Sequence, residues 1–382
     1  MMKTDYKIAF MVSVLAVAAC TSDHEEGGSV ETSAAQGNEI RIAVAGTSSY
    51  GITRSEGAVS YNNEYLKEEA SWPGSENYFK VTARFSSEPS KKYIDNYVMY
   101  NTYANDVNPW QICTSDGTPK TYYWTASTAF DFFAYAPAMK GGAVYEPTIA
   151  ENGMTVDAFD EANNRQTLTA DLRAFRYGDQ TDLKEVVYAY STGQTYAKQG
   201  VTGVSLQFQH PLAAIVLRIS GAFDQLLLNT VKFTSEATPK GSGIYHQGVG
   251  TCSSNDTEWE IPESAAPADL NIDIYKIMNQ TMYIGDIFEK PFLVIPQTLV
   301  DREGLEDLVM EISFQKKSAG PGYDAVKTVT LPITEKVTSW EAGKSYVYSL
   351  ELGKDESVIV GCSVEAWNAH GSYTNIDIDS DN

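Results

Sequence analysis

The chain has 382 residues, enough for two domains of ~150 residues or one large one. Lys and Arg number 28 against 50 Asp and Glu, and the formal net charge of −22 repels phosphate backbones and anionic headgroups, which removes nucleic-acid binding. Aromatic residues make up 12%, with 24 tyrosines, a content that a disordered acidic tail does not reach.

The N-terminus carries an export signal. Lys3 and Lys7 precede an apolar run from Ile8 to Ala19, and small residues lead into Cys20, which is the layout of a secretory signal over residues 1–19. Twelve helical residues rise about 18 Å, short of a ~30 Å hydrocarbon core, and no later segment approaches that apolarity. Val17-Ala18-Ala19-Cys20 resembles a lipobox, with Val17 where leucine is usual. That resemblance implies lipidation of Cys20 and an outer-membrane anchor; an ordinary signal peptide ending near a cysteine is the alternative. Residues 20–38 are acidic and then Gly/Ser-rich, the composition of a flexible tether. The run Thr21-Ser22-Asp23-His24-Glu25-Glu26 resembles the surface-export signal of some Gram-negative lipoproteins, and a plain solvated linker is the other reading.

From Glu39 onward apolar residues recur at every second position. Ile40, Ile42 and Val44 alternate with polar or small residues, as do Phe79, Val81, Ala83 and Phe85. The same holds for Val204, Leu206 and Phe208, for Met310, Ile312 and Phe314, and for Tyr346, Tyr348, Leu350 and Leu352. Period two marks half-buried antiparallel strands. Asp116-Gly117, Gly141-Gly142, Pro321-Gly322 and Glu341-Ala342-Gly343-Lys344 supply turns between them. An all-β chain of β-sandwiches follows. The polar stretch from Ser191 to Gly200 separates two strand runs and places the boundary there, giving domains 39–196 and 197–382.

Chemistry is sparse. The sequence has no GxSxG, HExxH, Walker or GxGxxG motif, so no catalytic residues are expected and the chain reads as a non-enzyme. Cys20, Cys113, Cys252 and Cys362 lie far apart, as do the four histidines, which fits neither a disulfide scaffold nor a zinc site. Asp377, Asp379 and Asp381 lack the glycine and closing glutamate of a calcium loop, so neither metal nor cofactor is expected. His210, before Pro211, reads as a strand-end histidine rather than a base. The tyrosines and tryptophans read as core rather than as a sugar platform.

Four segments together resemble the fimbrillin family of type V pilins and their relatives. They are Phe130-Asp131-Phe132-Phe133-Ala134-Tyr135-Ala136-Pro137, Val204 to Ala213, Pro291 to Gln297, and Trp340-Glu341-Ala342-Gly343-Lys344-Ser345-Tyr346-Val347-Tyr348. The resemblance implies two transthyretin-like sandwich domains in a stalk or tip subunit that supports adhesion. It implies export as a lipoprotein, removal of the first strand by an arginine-directed protease, and filling of the vacated groove by a strand of another subunit. On this sequence the groove plug would be Ile40, Ile42 and Val44, and the cleavage site Arg54-Ser55. The donor strand would include Ile376 and Ile378, for which an ordinary edge strand or tail is the alternative. Partners would be related subunits, the protease and the outer membrane. A non-polymerising surface lipoprotein that binds glycan or host protein is the rival reading.

Overall fold

The computed structural model describes residues 38–44, 78–100, 110–125, 127–140, 143–173, 186–199, 203–221, 226–235, 249–253, 256–262, 269–273, 288–300, 308–318, 320–334, 337–352, 358–366 and 375–376. Cys20, Arg54, Ser55 and Ile378 lie outside these residues, as do the export signal and the tether up to residue 37. The chain divides into two compact units, Met1–Gln36 and Gly37–Asn382, and all described residues belong to the second.

The described chain is all-β, as the alternation requires. An antiparallel five-stranded sheet runs in the order Val187–Gln194, Phe130–Ala136, Phe79–Phe85, Glu88–Tyr100, Trp110–Cys113. Phe79, Val81 and Ala83 take one face of their strand and are fully buried; Lys80 and Thr82 take the other. The Phe130–Ala136 strand is buried on both faces. Phe130, Phe132 and Ala134 enter one core while Phe133 and Tyr135 enter another. Against the first of these cores lies a two-stranded ribbon, Ile42–Val44 beside Val204–Leu206.

The second half stacks a five-stranded sheet on a four-stranded one. One runs Phe288–Val294, Ala213–Gly221, Lys344–Leu352, Val358–Ala366, Asn375–Ile376; the other runs Leu270–Asp273, Leu226–Ser235, Leu308–Lys316, Lys327–Pro332. Leu217, Phe233, Ile312, Phe314, Trp340 and Tyr348 fill the space between them. The two halves share a further sheet, in which Val249–Ser253 pairs with Thr167–Asp171 from the first half. Beneath it Leu168, Tyr188, Leu212, Cys252 and Ile295 form one buried cluster drawn from both halves.

The polar stretch expected to be a boundary is partly strand. Ser191 pairs with Phe132 and Gln194 with Phe130 across a bulge. Gly193, at φ 58°, donates its N–H to buried Asp131, which also accepts from Ser86 and Asn164. Polar side chains are tolerated because Ser191–Gln194, unlike Val187–Ala189 of the same strand, is not buried. The strand ends at Gln194, and Tyr196–Gln199 forms one helical turn. Val204–Leu206 lies beyond the 196/197 division and yet packs in the core of the first half. Two pairings are also parallel rather than antiparallel: Ile42–Val44 with Val204–Leu206, and Ala213–Gly221 with Lys344–Leu352. Alternation reports which face is buried and says nothing of strand direction.

Candidate functional site: the seat of the first strand

The segment from Asn38 to Val44 is clasped on both edges by chain that comes much later. Along one edge the Ile40 N–H donates to the Tyr122 carbonyl at 2.7 Å, and the Trp124 N–H donates to the Asn38 carbonyl at 2.8 Å. Along the other, the Val204 N–H donates to the Arg41 carbonyl at 2.7 Å, and the parallel ladder matches Ile42, Ala43 and Val44 with Val204, Ser205 and Leu206. Gly203 makes this approach possible. Its φ is +86°, and a Cβ there would stand 2.9 Å from the Arg41 carbonyl oxygen.

Ile40 is 2% exposed and Ile42 fully buried, while Val44 packs half-buried at the rim. Their wall is aromatic. The Phe79 ring lies 5.5 Å from Trp110 and 5.1 Å from Phe208, centroid to centroid, and Trp124 touches Phe130 and Phe132. Burying an isoleucine stabilises by about 1.5–3 kcal/mol and each backbone hydrogen bond adds about 0.5–1.5 kcal/mol, so side chains and backbone both hold the strand in its seat. Arg41 points outward beside Glu39, 3.7 Å away. The Trp124 indole N–H is buried without a hydrogen-bond partner among the described residues.

At the other end of the chain, Asn375–Ile376 pairs antiparallel with Ser363 and Cys362 at the edge of the second sandwich. The segment expected to act as donor therefore lies, in its described part, in the chain's own sheet.

The remaining reactive groups are packed away. Cys113, Cys252 and Cys362 are buried. Burial, with Asp116 adding to it, pushes the Cys113 thiol up to about 11, and burial pushes Cys362 up to about 12. Both stay protonated and inert at neutral pH. His210 is 5% exposed. Among the described residues no group of His, Cys, Asp and Glu is arranged to hold a metal, and no helix is long and apolar enough to cross a membrane.

The quoted motif residues turn out to be structural fasteners. Trp340 donates its indole N–H to the Tyr348 hydroxyl at 3.1 Å inside the second core, and the Glu341 N–H donates to the Tyr346 hydroxyl at 2.9 Å. Gly343 turns the hairpin at φ +70°, and its N–H donates to the Leu212 carbonyl, tying the segment from Val204 to Ala213 to the hairpin. Tyr122, Trp124 and Gly203, the rails of the first strand, leave no mark in the alternation of any single strand. A glycine directly before the Val204 alternation was the one available signal for the last of them.

The fold and this seat define an all-β sandwich protein whose candidate site holds the chain's own first strand. The profile of the Fimbrillin-like family matches residues 70–367, and the chain belongs to that family. Among solved structures, a fimbrial protein from Bacteroides vulgatus is similar, with a TM-score of 0.55 at 14% identity over 86% of this chain and 99% of that one. Candidate cell adhesion proteins from Bacteroides uniformis and Bacteroides ovatus give TM-scores of 0.45 and 0.44, each at 14% identity over 87% of this chain and 98% of theirs. No curated protein matches the chain. Membership supports a pilus-type or adhesive role at the cell surface and association with other subunits.

Proposed function

We propose that the chain is a stalk or tip subunit of a type V-like pilus that assembles by β-strand exchange. The observation that carries this reading is the first strand. Ile40 and Ile42 are buried in a core whose other buried residues run from Phe79 onward, yet the ladder beside them spans only Ile42–Val44. In this reading Cys20 carries the lipid that delivers the subunit to the outer membrane. An arginine-directed protease then cuts at Arg54-Ser55 and releases the strand. The vacated seat exposes apolar wall and unpaired backbone together, and a strand from another subunit relieves both. The tail around Ile376 and Ile378 is the donor, leaving its short edge pairing to do so. The tail's present place beside Cys362 and Ser363 favours a second reading, a surface lipoprotein that keeps its own strands and does not polymerise.

Deleting residues through Arg54 tests the first reading. At ~25 cal/mol per Å² the exposed seat is worth several kcal/mol, so the truncated protein should oligomerise where the full chain does not. Size-exclusion chromatography at matched concentration decides it. A truncated form that stays monomeric and stable would show that the first strand is not a plug.

A further inference from the structure

The five-stranded sheet that seats the first strand has a second face, and that face is hollowed. Lys80, Thr82 and Arg84 alternate with the core residues of their strand, and they look across at the segment that runs from Glu146 through Phe159 to Gln166. Between them lies a cleft of about 280 Å³. Small-molecule sites span ~300–1,000 Å³, so this cleft holds a ligand of about one ring.

Its charges are balanced and mostly spoken for. Three cations, Lys80, Arg84 and Lys92, face three carboxylates, Asp95, Glu146 and Asp157. Lys92 lies 2.7 Å and Lys80 3.5 Å from the Asp95 carboxylate. Arg84 donates to the Pro89 carbonyl at 2.7 Å, and its guanidinium sits 3.8 Å from the centroid of the Phe159 ring. An anionic ligand would have to part these lysines from Asp95. A cationic ligand reaching Glu146 would meet three cations. A hydroxyl group suits the cleft better: it donates to a carboxylate while accepting from an ammonium, and separates no existing pair. Half-buried Val156 and the part of Phe159 that Arg84 leaves uncovered add apolar surface for the C–H face of a ring.

We propose that this cleft binds one neutral sugar ring, a hexose or N-acetylhexosamine at the end or branch of a glycan. The site goes beyond the strand-exchange reading and does not rest on it, because it occupies the opposite face of the sheet.

Saturation-transfer NMR on the full chain tests it, with the methyl glycosides of glucose, galactose, mannose, N-acetylglucosamine and N-acetylgalactosamine as probes. At least one should receive transfer at the ring protons. Glu146→Ala, an exposed position, should weaken that binding about tenfold without changing the melting temperature, and Thr82→Val, which also gives up a 3.5 Å hydrogen bond to Asp95, should weaken it alike. If no glycoside receives transfer, the proposal is wrong. It is equally overturned if binding is unchanged in both variants, or if N-acetylneuraminic acid or glycine binds where the neutral glycosides do not. Oligomerisation after truncation is a separate readout, so either proposal can fail alone.

Discussion

Gly203 stands so close to Arg41 that a single methyl group would not fit: a Cβ on Gly203 would lie 2.9 Å from the Arg41 carbonyl oxygen and 3.1 Å from the Arg41 Cβ. The contact joins the first strand to a partner from the far end of the same half, and it is made of backbone, which cannot swing aside.

Replacing Gly203 with alanine should therefore loosen the first strand selectively. The positive φ and the backbone clash together cost more than ~1 kcal/mol. Hydrogen exchange at the amides of Val204 and Ala43, which carry the ladder, should quicken, while Phe233 and Ile312 in the second core keep their protection. Uniform loss of protection would mean that Gly203 serves the whole fold.

Two buried tryptophans make a matched comparison. Trp340 donates to the Tyr348 hydroxyl, whereas the Trp124 N–H has no partner among the described residues. Both lose packing on replacement by phenylalanine, but only Trp340→Phe gives up a made hydrogen bond. It should cost about 1 kcal/mol more than Trp124→Phe, and urea denaturation of the two variants measures the gap.

Alkali should weaken the fold. Cys113 and Cys362 titrate near 9.0 when unfolded but are pushed up to about 11 and about 12 by burial. Above pH 9 the unfolded chain has lost protons that the folded chain retains, so stability is full below that pH and falls as pH rises towards 12. Denaturation midpoints on either side of pH 9 check this, and Cys362→Ala should flatten the decline. At neutral pH the native thiols should resist iodoacetamide, and unfolding should expose all three buried cysteines to it.

Changing Ile376 and Ile378 to aspartate distinguishes a donor from an ordinary edge strand. A buried, unpaired carboxylate costs several kcal/mol wherever it lands. If the tail is a donor, the monomer melts normally and polymers vanish from electron micrographs of cells. If the tail serves the chain's own sheet, the monomer itself melts lower.

Much of the fold is legible in the sequence because burial on one face writes itself as alternation. Phe79–Phe85, Leu308–Lys316 and Lys344–Leu352 all sit where period two puts strands. Ile40 and Ile42 are legible as a strand face for the same reason. Their partners are not. Strand direction leaves no mark in a period of two, so the parallel pairing with Val204–Leu206 is invisible before the chain is folded. The Ser191–Gln194 stretch reads as a boundary because its residues are polar, and none of them is buried in the strand they form. Lys80, Thr82 and Arg84 read as a solvated face, and Arg84 is nevertheless 8% exposed. What covers it is Phe159 and its neighbours, brought over by the fold from another part of the chain.

The removable first strand is the central claim, and N-terminal sequencing of the protein recovered from cell-surface polymers tests it most directly. Ser55 is the expected first residue of the assembled subunit, with Ile40, Ile42 and Val44 gone from their seat. Assembled polymers whose subunits still begin at a lipidated Cys20 would contradict it.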